Sequence, residues 1–120
     1  MTVRKVLCVD DSAAELSMIK QIVLNANLNV VSANNGKDAI LLAKSEMPDL
    51  IFLDIVMADM DGFAVMRELH KDPVTKGIPV VFVSSKSQKA DLAWAKLQGA
   101  KGFVPKPVSE EAILEEIRKH

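Results

Sequence analysis

The sequence predicts an α/β protein in which five parallel strands form a doubly wound sheet flanked by five helices. Short apolar runs alternate along the chain with stretches of helical periodicity, and this alternation is typical of βαβ units. The runs at residues 50–53 (LIFL) and 80–83 (VVFV) contain only apolar residues, as expected for strands that are covered on both faces. Because crossovers between parallel strands are right-handed, the helices are expected on both faces of the sheet.

The boundaries of these elements follow from apolar runs and capping residues. The five predicted strands cover residues 3–9, 29–33, 50–53, 80–83 and 101–104. Ser12 and Glu15 predict a capping box at the start of the first helix, in which Ser12 accepts from the helix and Glu15 reaches back. The fourth helix is expected over roughly residues 88–98, ending at Gly99, and Ser109 is expected to cap the fifth.

Length and composition exclude several classes of protein. With 120 residues, the chain is expected to form one domain over residues 1–120, without a disulfide or metal to stabilise its core. A formal net charge of -1 argues against a dedicated nucleic-acid binder. The single cysteine excludes a disulfide framework and a cysteine-based zinc site. Apolar runs too short for a bilayer, and a start unlike a signal peptide, predict a cytoplasmic protein without membrane insertion.

Polar residues end four of the five predicted strands. They are Asp10 and Asp11 after the first strand, Asp54 after the third, Ser84 after the fourth and Lys106 after the fifth. Ligands of doubly wound sheets bind at the carboxyl ends of the strands, so these side chains are expected to converge. A single aspartate after a strand usually belongs to a turn, but five suitable residues at four strand ends favour a site.

The chemistry of these five side chains predicts a phosphoryl site. Three crowded carboxylates repel one another unless a cation lies between them, and oxygen ligands with water suit Mg²⁺ better than zinc. The hydroxyl of Ser84 and the ammonium of Lys106 suit a ligand that has several anionic oxygens. We therefore expect an aspartate oxygen to attack phosphorus in line, while Mg²⁺ and Lys106 neutralise the charge.

The sequence resembles the receiver domain of two-component response regulators over nearly its whole length. The segments that carry the resemblance are VLCVDDS, LIFLDIVMADMDG, IPVVFVSSK and GAKGFVPKP. The resemblance implies a flavodoxin-like sheet with strand order 2-1-3-4-5, and a Lys-Pro peptide after strand five that is usually cis. It also implies a regulatory protein that catalyses only its own phosphorylation and dephosphorylation, and is not otherwise an enzyme.

The resemblance assigns the central role to Asp54, which would accept a phosphoryl group from a chemotaxis-type histidine kinase. It also implies a set of Mg²⁺ ligands, in which Asp10 would act through water: Asp10, Asp11, Asp54 and the backbone carbonyl of Val56. Val56 and Lys86 occupy positions that tune dephosphorylation in the family. Ala58 replaces a frequent proline in the loop after Asp54.

The resemblance also implies a conformational switch. Ser84, where the family often has threonine, and Lys106 would each bind a phosphoryl oxygen. Movement of Ser84 would be coupled to Phe103, which replaces a frequent tyrosine on strand five. That movement would reshape the surface formed by the fourth helix, fifth strand and fifth helix, where a downstream protein docks.

The sequence resembles stand-alone receivers of chemotaxis-like systems, most of all the regulators of twitching motility, and no output domain is expected. Such a protein docks to a partner or drains phosphate from a kinase. Two other functions stay open. A pseudo-receiver would bind proteins regardless of phosphate, although it would not need three crowded carboxylates. A metal-dependent phosphohydrolase would normally carry a cap or a substrate-binding insert.

Three further features have structural and functional interpretations. Cys8 is predicted to be a packed residue of the first strand and not a redox sensor. Trp94 lies on a helical stripe with Ala90 and Leu97, which favours partial burial in the core, the alternative being an anchor for a docking partner. The fourth-helix region is basic, as expected for a solvated face or for attraction to an acidic partner helix: Lys86, Lys89, Lys96 and Lys101.

Overall fold

The computed structural model describes residues 2–120 and confirms the predicted fold class. Its strands are β1 (Lys5–Val9), β2 (Asn29–Ala33), β3 (Leu50–Leu53), β4 (Val80–Ser84) and β5 (Gly102–Pro105). Its helices are α1 (Ala13–Asn25), α2 (Gly36–Glu46), α3 (Gly62–Lys71), α4 (Lys89–Leu97) and α5 (Glu110–Lys119). The strands are parallel, in the order β2-β1-β3-β4-β5. Across the described residues, each helix is too short or too polar to cross a bilayer.

The two faces of the sheet form separate cores because side chains alternate along each strand. On β1, Leu7 packs into the core under α2, α3 and α4, whereas Cys8 packs into the core under α1 and α5. The helices contribute a small set of buried apolar side chains, namely Ala39, Ala43, Val65, Met66, Leu69 and Ala95 on one face and Ile19, Val23 and Ile113 on the other. Burial raises the pKa of the Cys8 thiol to about 12, which agrees with a packed and unreactive cysteine.

Most boundaries agree with prediction to within one residue, and β1 is the exception. It begins at Lys5 instead of residue 3, because the N–H groups of Arg4 and Lys5 both donate to Asp49 Oδ2, at 2.9 and 3.0 Å. β4 includes Ser84, and β5 lies one residue later than predicted.

The helix caps confirm most of the capping predictions and correct one. Gly99 adopts φ +97° after α4, and the Ser109 side chain accepts from Ala112 N at 3.1 Å. At α1, Ser12 Oγ accepts from Glu15 N at 3.4 Å, but the second half of the predicted capping box is wrong. The N–H of Ser12 donates to Asp10 Oδ1 at 2.9 Å, so Glu15 is not needed to satisfy it.

The predicted core stripe of α4 is also wrong. The helix faces the sheet through Ala95, whereas Ala90 is exposed and Leu97, two residues beyond Ala95, is 77% exposed. Residues two apart on a helix point about 200° away from each other, so both cannot be buried by one sheet. Trp94 is 49% exposed, and its ring meets the ring of Phe63 edge to face at a centroid distance of 6.3 Å.

Candidate functional site

The sheet brings the predicted acidic residues together at the carboxyl ends of β1 and β3. These strands are neighbours, with Val9 paired to Leu53, so Asp10 and Asp54 follow directly from paired residues. The N–H of Asp54 donates to the carbonyl of Val9 at 3.1 Å, which fixes their separation. One carboxylate oxygen from each of Asp10, Asp11 and Asp54 lies within 4.8 Å of the others. The predicted three-carboxylate cluster is therefore present.

Lys106 reaches this cluster from the end of β5. Its backbone N–H donates to the carbonyl of Ser84 at 3.0 Å, and its peptide bond to Pro107 is cis. The ammonium Nζ lies 2.8 Å from Asp10 Oδ2 and 3.0 Å from Asp54 Oδ2. The Lys106 side chain is only 12% exposed, so it forms a largely buried bridge between the two aspartates.

The surroundings of Asp54 raise the pKa of its carboxyl above the ordinary value for an aspartate. Burial raises the pKa of Asp54 most, and the negative charge of Asp10 raises it further; the hydrogen bond from Lys106 opposes both but does not cancel them. Burial also tends to lower the pKa of Lys106, but its hydrogen bonds to Asp10 and Asp54 outweigh this and raise it. The ammonium therefore stays charged, while the carboxylates remain incompletely neutralised.

The cluster borders an open cavity of about 460 Å³ with the donor atoms that Mg²⁺ prefers. Its lining residues are Asp10, Asp11, Ser12, Glu15, Asp54, Val56, Ser85, Lys106 and Pro107. Asp11 is exposed and accepts from Ala58 N at 3.0 Å through Oδ2, whereas Asp54 Oδ1 accepts from Val56 N at 3.3 Å. Each aspartate contributes two oxygens, and these bonds leave acceptor capacity for a hard cation, so the residues fit Mg²⁺.

Ser84 and Phe103, the two predicted switch residues, lie outside the wall of this cavity. Ser84 is completely buried at the end of β4, where its hydroxyl accepts from Lys86 N at 3.2 Å. The neighbouring Ser85 lines the cavity instead. Phe103 is half-buried and lines a second groove, of about 270 Å³, between α4 and β5. Phe103 lies on the predicted fifth strand, whereas Ser84, predicted to follow the fourth strand, is the last residue of β4.

A family model described as "Response regulator receiver domain" matches residues 6–118. The chain belongs to this family. Receiver domains are generally regulatory domains and not catalytic enzymes in their own right. The predictions of a two-component receiver domain and of its strand order are both confirmed.

Several characterised proteins are similar to this receiver domain over nearly all of its length. Protein PilH of Pseudomonas aeruginosa is 41% identical over 113 residues, which cover 94% of this chain and 93% of that protein. Chemotaxis protein CheY of Listeria monocytogenes is 36% identical, covering 96% of each chain. The crystal structure of Vibrio cholerae chemotaxis protein CheY4 at low pH superimposes with a TM-score of 0.91, at 26% identity and 98% coverage of each chain. The receiver domain is therefore similar to the PilH and CheY proteins over nearly its whole length.

The charged residue of the cavity wall that was not predicted from the sequence is Glu15, which had been assigned to a helix cap. Glu15 Oε2 lies 3.6 Å from Lys106 Nζ in the receiver domain. The available signal was its position, because Glu15 falls in the first turn of a helix that begins two residues after Asp11.

Gly62 supports the backbone beneath Asp54, and replacing it with alanine is expected to destabilise the receiver domain. The N–H of Gly62 donates to the carbonyl of Ile55 at 2.7 Å. A Cβ at position 62 would overlap the carbonyl oxygen of Asp54 and lie 2.9 Å from Ile55 Cα, and neither backbone atom can move freely. We expect Gly62→Ala to lose about 3 kcal/mol of unfolding free energy, measured by urea titration.

Gly77→Ala is the matched control for this substitution. A Cβ at Gly77 would meet nothing within 4 Å among residues 2–120. Its unfolding free energy is expected to stay within about 0.5 kcal/mol of the wild-type value. Equal stability of the two variants would contradict the close approach of Gly62 to the Asp54 backbone.

Proposed function

We propose that the protein is a phosphorylation-dependent switch in which Asp54 accepts a phosphoryl group from a chemotaxis-type histidine kinase. The observation that carries this proposal is the largely buried bridge from Lys106 to Asp10 and Asp54, at 2.8 and 3.0 Å, inside an open acidic cavity. In a domain that never bound phosphate, the repulsion between these crowded carboxylates would serve no function. The relatives support the proposal, because two of them are named chemotaxis proteins.

Asp11, Asp54 and the backbone carbonyl of Val56 would hold Mg²⁺, with Asp10 acting through water. When bound, the ion supplies positive charge that offsets the carboxylates and the phosphoryl oxygens. The residues are suitably placed, since oxygens of all three aspartates lie within 4.8 Å and Val56 lines the same cavity. Lys106 would balance the charge that the metal does not.

The phosphoryl transfer itself would use an oxygen of the Asp54 carboxylate as nucleophile. This oxygen forms a bond to phosphorus as the bond from phosphorus to the donor breaks, and the donor leaves with that electron pair. Lys106 would then bind a phosphoryl oxygen, as would the hydroxyl of Ser84. Because Ser84 is completely buried and accepts from Lys86 N, it has to turn towards the cavity to do so.

The surface formed by α4, β5 and α5 is the proposed docking site for a downstream protein. Phe103 lines the groove between α4 and β5, so a change in its position alters the shape of that groove. Nearby, α4 exposes the large apolar side chains Leu92, Trp94 and Leu97. The exposed lysines Lys89 and Lys96 lie on the same helix, and together these side chains favour an acidic partner with apolar anchors.

A cytoplasmic role in chemotaxis-like or twitching-motility signalling fits these features best. The 41% identity to PilH and the resemblance of residues 86–107 to twitching-motility regulators support this pathway. A messenger that docks to a partner and a phosphate sink would both use the same five residues at the strand ends, namely Asp10, Asp11, Asp54, Ser84 and Lys106.

The proposal is tested by intact-mass measurement after incubation with Mg²⁺ and acetyl phosphate, a small phosphodonor. We expect the mass of one added phosphoryl group, its absence when Mg²⁺ is chelated, and decay of the adduct with time. The fluorescence of Trp94, the only tryptophan in the sequence, is expected to change in parallel if phosphorylation reshapes α4. A protein that takes up no phosphoryl group from either acetyl phosphate or a phosphorylated chemotaxis kinase would favour the pseudo-receiver instead.

A further inference from the structure

Glu15 places a third carboxylate near the ammonium of Lys106, beside those of Asp10 and Asp54. It lies in the first turn of α1 and lines the cavity that contains Asp10 and Asp54. Its Oε2 atom is 3.6 Å from Lys106 Nζ, is inaccessible to solvent, and has no hydrogen-bond partner among residues 2–120. An oxygen in this position is costly unless a charged group compensates it. Lys106 is the cation in reach.

The ammonium of Lys106 has one donor left to offer. A lysine carries three N–H donors, and two of them serve Asp10 and Asp54 at 2.8 and 3.0 Å. Glu15 lies on α1, whereas Asp54 follows β3, so the attraction of Glu15 acts on Lys106 from a different element.

We propose that Glu15 is a positioning residue that restrains Lys106 in the unphosphorylated protein, so that a phosphoryl group on Asp54 has to draw the ammonium away from it. This inference rests on the proposed phosphorylation of Asp54. Glu15 is not one of the three clustered aspartates, whose oxygens lie within 4.8 Å of one another. It therefore acts on the site through Lys106 and through its own negative charge.

Two effects of Glu15 oppose the binding of an anionic group at Asp54. The carboxylate competes for the cation that the phosphoryl oxygens need, and its negative charge repels those oxygens across the cavity that both share. Removing the charge while keeping the size of the side chain is expected to relieve both. If Glu15 had only a structural role, its replacement would weaken the binding of an anionic group at Asp54 or leave it unchanged.

Glu15→Gln tests this inference with beryllofluoride, a stable mimic of a phosphoryl group on aspartate. At saturating Mg²⁺, the dissociation constant for beryllofluoride is expected to fall about 3- to 10-fold relative to wild type. The ζ-ammonium ¹⁵N signal of Lys106, recorded without metal or mimic, is expected to shift because its charged neighbour is gone. This second readout does not depend on the loaded site.

Glu68→Gln is the matched control, since it removes the same charge from the exposed α3 pair with Lys71. It is expected to leave both the affinity and the Lys106 signal unchanged. Equal affinity in Glu15→Gln and wild type, or weaker affinity in the variant, would overturn the role of Glu15 while leaving the switch intact. Wild-type protein that fails to bind beryllofluoride would instead overturn the proposed function.

Discussion

Replacing Asp54 with asparagine is expected to abolish the phosphoryl adduct and at the same time to make the metal-free domain more stable. The amide cannot act as the nucleophile, so intact mass should show no adduct at this position. It keeps the size of the side chain and an oxygen that accepts from Lys106. It also removes a buried charge that lies beside Asp10, and we expect a gain of about 1–2 kcal/mol in unfolding free energy at neutral pH.

The pH dependence of this gain follows from the raised pKa of Asp54. Because the folded protein holds this proton more tightly than the unfolded chain, the ionised carboxyl reduces stability above the raised pKa. As the pH falls through that value, wild-type Asp54 becomes neutral, and the advantage of Asp54→Asn is expected to shrink. Thermal melting in the presence of a chelator measures the difference at each pH. A variant that melts below wild type at neutral pH would contradict the argument from crowded carboxylates.

The placement of Asp10, Asp54 and Lys106 at one edge of the sheet was predictable because the strands are parallel. Apolar runs mark the strands, polar residues mark where they end, and parallel strands bring their carboxyl ends to one edge. The spatial order of the strands was a different matter, since the alternation of elements does not specify it. The strand order came from the resemblance to receiver domains and is confirmed by the pairing of β1 with both β2 and β3.

Local sequence rules gave wrong predictions where they competed with contacts between distant segments. Glu15 satisfied the spacing of a capping box, but Asp10 occupied the N–H that it was to bind and Lys106, 91 positions away in sequence, attracted its carboxylate. Trp94 lay on an apolar stripe, yet only one side of α4 meets the sheet. Periodicity identifies an amphipathic helix, but it does not say which of two similar stripes the rest of the fold covers.

Replacing Lys106 with methionine is expected to cause a large loss of stability in the metal-free protein. Methionine has a similar length, but it leaves Asp10 and Asp54, which are 1% and 6% exposed at their side chains, without the cation that bridges them. Removing one partner of a buried ion pair costs more than the pair contributes, because the remaining charges stay desolvated. We expect a loss of about 3 kcal/mol in unfolding free energy at neutral pH, measured by urea titration with a chelator present.

Two experiments distinguish a lost counter-ion from a simple packing defect in Lys106→Met. One adds positive charge as Mg²⁺, and the other removes the negative charge of Asp54. Mg²⁺ should raise the melting temperature of Lys106→Met more than that of wild type, because the ion would neutralise the carboxylates that Lys106 no longer serves. In the double variant with Asp54→Asn, the loss should be smaller than the sum of the single effects, since less repulsion remains to be relieved. Lys71→Met, which breaks an exposed pair with Glu68, should cost less than about 0.5 kcal/mol. If Lys106→Met gained no more from Mg²⁺ than wild type, and if its effect added simply to that of Asp54→Asn, Lys106 would not be the counter-ion of this site.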